Sequence, residues 1–201
     1  LHTLLSTQGR KTLVVGVSGG VDSAVVLGIL NALQKAYPNT YQILPMICPI
    51  NNSQGTTEQK EAVDLALAVT DYFNMSENLF DLSKLSRATK EVFDIETPYL
   101  QQQVDYWLRP MAFYQMAMDW DNSIMVSTVN GSEWSLGWFS QYLDVFGIHP
   151  IIDLLKGDVY TLATYLNIPD VVLNTPPKGG LADASTDEEA LGFTYAEFEA
   201  Y

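Results

Sequence analysis

The chain has 201 residues, of which 47% are hydrophobic and 17% are charged, a composition typical of globular rather than disordered proteins. This length predicts one domain spanning residues 1–201. The formal charge of −14 disfavours nucleic-acid partners, because proteins bind nucleic-acid phosphates through Lys and Arg. The apolar stretches are too short to cross a membrane. A single cysteine, Cys48, and an N-terminal segment unlike an export signal predict a cytoplasmic protein.

Strand-like and helix-like segments alternate along the chain. The pattern predicts strands at residues 13–17, 41–48, 78–82 and 123–127, and helices at residues 21–36, 61–73, 84–93, 99–120 and 153–166. Pro110 lies midway in the longest helix and is expected to kink or divide it. The strand predicted at residues 123–127 is followed by a Gly- and Trp-rich stretch, which is predicted to be a loop up to Phe146. Such alternation is typical of an open, Rossmann-like parallel α/β sheet with helices on both faces, whose ligands bind at the carboxyl ends of the strands.

The turn between the first predicted strand and the first helix has the features of a phosphate site. It consists of Gly16-Val17-Ser18-Gly19-Gly20-Val21-Asp22-Ser23. Adjacent glycines let the backbone approach an anion closely, and the free N–H groups of a helix N-terminus suit a phosphate. Ser18 and Ser23 add hydroxyl donors. Asp22 would repel bare phosphate, so its presence indicates a divalent cation between the two.

The same turn resembles the Ser-Gly-Gly-x-Asp-Ser pyrophosphate loop of the ATP pyrophosphatases. Members of that superfamily cleave ATP between the α- and β-phosphates and activate an oxygen as an adenylate. The resemblance implies an adenine-nucleotide alpha-hydrolase-like fold, with ATP bound along residues 16–23. It also implies that Ser18 and Asp22 are catalytic.

Later segments point to one family within that superfamily. Ser127–Glu133 is similar to the Gly-Thr-x-Asn-x-Ser-Glu segment of the NAD synthetases, and Gly137–Asp144 resembles their Gly-Tyr-Phe-Thr-Lys-Tyr-Gly-Asp. Pro150–Pro169 and Asp187–Tyr195 follow the remaining segments of that family in the same order. The resemblance implies amidation of nicotinic acid adenine dinucleotide (deamido-NAD) to NAD. The family uses ATP for this, and AMP and pyrophosphate are released through an adenylated intermediate. A chain of this length would take its nitrogen from free ammonia.

The resemblance also implies how this chain would bind ATP and Mg²⁺. Thr128, Lys156 and Pro177 match family positions at the ATP site, and Lys156 would complete the catalytic set. Asp22 and Glu133 would bind Mg²⁺, which offsets the charge on the phosphates as they separate.

The acceptor side departs from the family pattern. Arg109, Gln141 and Asp144 match positions that contact deamido-NAD, but Gln141 stands where the family has lysine. The family works as a homodimer, which would also account for the aromatic and Met-rich helix at residues 99–120. Two alternatives stay open at this point. One is a diverged homologue that binds ATP without making NAD, and the other is an amide-forming ligase with a different acceptor, similar to GMP synthetase.

Overall fold

The computed structural model describes residues 1–50, 57–139, 147–178 and 186–200. A four-stranded sheet is formed by β1 (Thr12–Gly16), β2 (Gln42–Ile47), β3 (Asn78–Leu79) and β4 (Ser123–Val126). The strands lie in the order β3-β2-β1-β4, and every neighbouring pair is parallel. The chain runs outward from β1 to β3 and then returns to place β4 on the other side of β1. Such a change of direction opens a crevice at the carboxyl ends of β1 and β4.

Helices connect and cover these strands. In chain order they are α1 (His2–Thr7), α2 (Val21–Ala36), α3 (Thr57–Tyr72), α4 (Ser83–Val92), α5 (Pro98–Met118), α6 (Gly131–Leu136), α7 (Lys156–Tyr165), α8 (Asp170–Leu173), α9 (Asp187–Leu191) and α10 (Tyr195–Glu199). None of the helices within the described ranges has the length and apolar character needed to span a membrane.

Alternate strand residues pack into two apolar clusters on opposite faces of the sheet. Leu13 and Val15 join the cluster that contains side chains of α2, α3, α7 and α8. Val14, between them, joins a second cluster with Val104 and Leu108 of α5. Because successive strand residues point to opposite faces, helices cover both sides of the sheet. The predicted open parallel α/β fold is therefore confirmed.

Two details differ from the sequence-based expectations. α5 is a single helix from Pro98 to Met118, so of the two outcomes expected at Pro110, a kink or a division, the division is wrong. Proline removes one backbone hydrogen bond, but packing of α5 against β1 and β4 holds the helix together across that position. The stretch after β4, predicted as a loop, contains α6. Asn130 begins this helix with a capping box, in which its side chain accepts from Glu133 N and the Glu133 carboxylate accepts from Asn130 N.

Candidate active site

The turn after β1 has a backbone shape that requires glycine. Gly19 has φ of +87°, and a Cβ atom there would lie 2.6 Å from the carbonyl oxygen of Ala62 and 2.9 Å from Leu65 Cβ. α3 therefore packs directly on the turn and fixes its position. A left-handed residue with no room for a side chain is the setting in which glycine is favoured.

The two serines of this turn have different surroundings. Ser23 is buried, and its hydroxyl donates to Gly20 O at 2.9 Å and accepts from Ser18 N at 3.3 Å. Ser18 is exposed at the mouth of the turn. The first backbone bond into α2 is Ala24 N to Gly20 O at 3.1 Å, and no side chain of the described residues caps α2. The earlier N–H groups of the helix thus lack helical acceptors, which is the arrangement that binds phosphate.

A second turn, after β4, contacts the first through Asn130. This side chain is fully buried, and its Nδ2 donates to Asp22 Oδ1 at 2.8 Å. Its Oδ1 accepts from Glu133 N at 2.9 Å. One amide group therefore begins α6 and orients the carboxylate of Asp22. The two turns are neighbours because β1 and β4 are adjacent parallel strands.

Lys156 brings a cation to these two carboxylates. Its Nζ lies 2.6 Å from Asp22 Oδ2 and 3.5 Å from Glu133 Oε1. Lys156 is the first residue of α7 and is only 2% exposed, whereas the side chains of Asp22 and Glu133 are 17% and 15% exposed. The structure thus brings together three residues that the sequence placed at one site, and it leaves the carboxylates accessible from the crevice.

The charges of this cluster are not balanced. Burial and the nearby charge of Asp22 raise the pKa of Glu133 to about 8, although Lys156 opposes the shift. Burial alone would lower the pKa of Lys156, but the charges of Asp22 and Glu133 more than offset it, so the pKa lies above its usual value. The site therefore holds a firmly protonated ammonium, and one of its two carboxylates takes up a proton more readily than usual because a single cation serves both.

Asp187 adds a further buried carboxylate that the sequence reasoning gave no role. It is 4% exposed, its Oδ2 accepts from the Tyr195 hydroxyl at 3.3 Å, and its Oδ1 has no hydrogen-bond partner among the described residues. Its charge acts on both Glu133 and Lys156, raising the pKa of each. The signal available in the sequence was the Asp187–Tyr195 segment, which matched the family pattern without indicating what these residues contact.

The other predicted site residues have varied surroundings. Thr128 lies half-buried, two positions before Asn130. Pro177 is half-buried, and its carbonyl oxygen accepts from Asp187 N at 3.0 Å. Arg109 Nε donates to the carbonyl oxygen of Cys48, just beyond the carboxyl end of β2, at 3.1 Å. Gln141 and Asp144 lie outside the described residues.

Comparison with known families identifies the chain. The model of the NAD synthase family matches residues 1–201. The chain belongs to the NAD synthase family. It is 32% identical over 200 residues to the NH(3)-dependent NAD(+) synthetase of Wolinella succinogenes, covering 99% of this chain and 74% of that protein. It is 35% identical over 205 residues to the enzyme of the same name from Alkaliphilus metalliredigens, covering 97% and 79%.

Solved structures share this fold. The NMN synthetase from Francisella tularensis superposes with a TM-score of 0.79 at 26% identity, over 94% of this chain and 75% of that one. The NAD+ synthetase from Burkholderia pseudomallei gives a TM-score of 0.76 at 19% identity, over 98% and 75%, and supports the fold alone. The predicted recognition and Rossmann-like fold class are thus confirmed.

Substituting Gly19 tests the geometry of the turn, and Gly9 provides a matched control. Both have positive φ, +87° and +66°, but a Cβ at Gly9 would meet no atom of the described segments within 4 Å. Gly9→Ala therefore incurs only backbone strain, whereas Gly19→Ala also clashes with α3 and displaces the turn. We expect Gly19→Ala to lose about 1–3 kcal/mol more unfolding free energy than Gly9→Ala, measured by urea unfolding. We also expect it to weaken ATP binding at least about tenfold in calorimetry. Equal ATP affinity in the two variants would contradict the prediction that the turn at residues 16–23 binds the phosphates of ATP.

Proposed function

We propose that this protein amidates deamido-NAD to NAD with ammonia, at the expense of ATP. The observation that carries the proposal is the convergence of Asp22, Glu133 and Lys156 at the carboxyl ends of β1 and β4, in a chain of the NAD synthase family. The curated relatives are named as NH(3)-dependent NAD(+) synthetases over nearly all of this chain. In that reaction free ammonia is the nucleophile and supplies the amide nitrogen directly.

ATP would bind with its phosphates along residues 16–23. The N–H groups at the beginning of α2 and the exposed hydroxyl of Ser18 provide donors to phosphate oxygens, and the dipole of α2 favours negative charge there. Lys156 supplies a point charge to the same phosphates. In this proposal Thr128 and Pro177 also line the ATP site.

The donor set fits a magnesium ion. Mg²⁺ prefers oxygen ligands, and it commonly uses one or two protein carboxylates with substrate phosphates and water completing the shell. Asp22 and Glu133 are two such carboxylates at the crevice, and Lys156 alone does not neutralise them. The raised pKa of Glu133, and the lack of a hydrogen-bond partner for Asp187 Oδ1 in the described part of the chain, both indicate that the cluster favours more positive charge. A bound Mg²⁺ would stabilise the charge that develops on the departing pyrophosphate.

The reaction proceeds in two transfers. A nicotinate carboxylate oxygen attacks the α-phosphorus of ATP, the bond to the pyrophosphate oxygen breaks, and an acyl adenylate forms. Ammonia then attacks the acyl carbon, AMP leaves with that same carboxylate oxygen, and the nitrogen loses a proton. In the first transfer Lys156 and the α2 N-terminus hold the leaving phosphates, while Asn130 keeps Asp22 oriented through its 2.8 Å hydrogen bond.

The acceptor would bind next to the ATP site, with contacts from Arg109, Gln141 and Asp144. This part of the proposal has a specific alternative, because the neighbour with a TM-score of 0.79 is named an NMN synthetase. An enzyme of that kind would amidate the mononucleotide rather than the dinucleotide. Both acceptors present the same carboxylate to the ATP site, so the adenylation chemistry is unchanged.

We also propose that the protein is a homodimer that associates through α5. Trp107, Met111, Tyr114 and Met118 follow each other at helical spacing and are 44%, 47%, 59% and 64% exposed. A groove lined by several of these side chains and by Ile124 lies between α5 and β4. Exposed apolar faces of this kind are typical of subunit contacts. The single-domain organisation, the cytoplasmic location and the absence of nucleic-acid partners stay predictions.

A product assay tests the proposed reaction and its acceptor. Protein is mixed with Mg·ATP and ammonium, and with either deamido-NAD or nicotinic acid mononucleotide, and the amide, AMP and pyrophosphate are quantified. We expect NAD, AMP and pyrophosphate in equal amounts from deamido-NAD, with at least about tenfold higher kcat/KM than for the mononucleotide. The reverse preference would assign the alternative acceptor. Tight ATP binding with no amide from either acceptor would contradict the proposal and favour a homologue without turnover.

Replacing Glu133 by glutamine tests the magnesium assignment. Burial disfavours the Glu133 anion, so Glu133→Gln should leave the ligand-free fold as stable as the wild type in urea unfolding. The same change removes a proposed Mg²⁺ ligand, so the Mg²⁺ concentration for half-maximal rate should rise at least about tenfold. Glu189→Gln, an exposed carboxylate that caps α9, serves as the control and should leave the Mg²⁺ dependence unchanged. An unchanged Mg²⁺ dependence in Glu133→Gln would contradict the assignment.

A further inference from the structure

The last described helix, α10, packs against the beginning of the helix that carries Lys156. Within the described residues α10 contacts both α6 and α7. Tyr195 and Glu199 are four positions apart, so they lie on the same face of α10. Both of these side chains make contacts around Lys156, although no motif in the sequence linked them to it.

Glu199 holds the backbone at Lys156. Its Oε1 accepts from the Ser132 hydroxyl at 2.8 Å, and the Ser132 oxygen in turn accepts from Lys156 N at 2.9 Å. Gly157 N also points to this carboxylate, at 3.3 Å from Oε1 and 3.2 Å from Oε2. A Cβ at Gly157 would lie 2.9 Å from Glu199 Oε2, so glycine makes the approach possible. A carboxylate at the N-terminus of α7 is also favoured by the helix dipole.

Tyr195 lies beside the ammonium group at the other end of the same side chain. Its ring centroid is 5.2 Å from Lys156 Nζ, within the range of a cation–π contact. The ring is 4% exposed, and its hydroxyl donates to Asp187 Oδ2 at 3.3 Å. Its backbone N donates to Glu188 Oε1 at 2.9 Å. α9 therefore holds Tyr195 in place against Lys156.

We propose that Glu199 and Tyr195 are positioning residues that hold Lys156 for its contact with the phosphates of ATP. This inference rests on the proposed function, in which Lys156 acts on those phosphates. Asp22 and Glu133 also contact the ammonium, but in the proposed function they bind Mg²⁺ when ATP is present. Glu199 and Tyr195 are not assigned to the metal, so they can hold Lys156 in the same place before and after ATP binds. Without them, a four-carbon side chain would lose the fixed geometry that phosphoryl transfer needs.

A double-mutant cycle tests whether Glu199 acts through Lys156. The variants are Glu199→Gln, Lys156→Met and the double variant, with kcat and KM for ATP measured on the full chain. We expect Glu199→Gln to lower kcat at least about tenfold, with less than about a threefold change in KM for ATP. In the Lys156→Met background, Glu199→Gln should have no further effect, because the side chain that it positions is absent.

Glu197→Gln is the matched control on the same helix. Glu197 is exposed and caps α10 through Thr194, so this variant perturbs the helix without a contact to Lys156. It should keep wild-type kcat. An equal loss of kcat in Glu197→Gln and Glu199→Gln would overturn the inference, because the effect would then come from the fold of α10. Independent losses in the double variant would overturn it as well.

Tyr195 gives a second test that does not depend on how well the Lys156 variant folds. Tyr195→Phe keeps the ring beside the ammonium, so it should retain kcat within about threefold. Tyr195→Leu removes the ring and should lower kcat at least about tenfold. Equal activity of the two variants would overturn the role of the ring. If Lys156→Met itself keeps full activity, the assignment of Lys156 in the proposed function fails and this inference fails with it. If Lys156→Met has a strongly reduced but measurable kcat, and Glu199→Gln lowers it further by the same factor as in the wild type, only the inference fails.

Discussion

The rest of the site depends on one buried ion pair, between Lys156 and Asp22. The Lys156 side chain is 2% exposed, and an ammonium group in such a place is very costly unless anions lie beside it; here an oxygen of Asp22 lies at 2.6 Å. Breaking such a pair leaves a charge in the interior, which typically costs about 3–5 kcal/mol. The pair therefore fixes the beginning of α7 against the beginning of α2. Glu133 joins it at 3.5 Å, so the turn after β4 is held to the same point.

The order of the strands brings Asp22 and Glu133 close together. β1 and β4 are adjacent although α2, β2, α3, β3, α4 and α5 lie between them in sequence, because the chain builds the sheet outward from β1 and then returns. Their turns open at the same edge, where Asn130 spans the gap to Asp22. The same amide begins α6, so the local structure of one turn and the orientation of a carboxylate in the other are set by a single buried side chain. A substitution at Asn130 would therefore disturb both turns.

Contiguous features were the ones that the sequence predicted well. The turn at residues 16–23 could be interpreted on its own, because its glycines, serines and helix start are neighbours in the chain. The alternation of elements was enough to predict the parallel sheet. The hydrogen bond from Asn130 to Asp22 joins residues 108 positions apart, and the contacts of Glu199 depend on where α10 packs, so neither could be inferred from spacing. Asn130 and Glu133 carry the sequence signal of the capping box that begins α6, but the Gly and Trp content of the same stretch favours a loop.

Adenylation of a carboxylate by this cluster is tested most directly by an isotope experiment. Deamido-NAD labelled with ¹⁸O in its nicotinate carboxylate is converted in the presence of Mg·ATP and ammonium, and the AMP is examined by mass spectrometry. An acyl adenylate passes one carboxylate oxygen to the departing AMP, so each AMP should carry one ¹⁸O atom. Unlabelled AMP formed together with NAD would contradict the account, because the carboxylate would then have been activated without an adenylate.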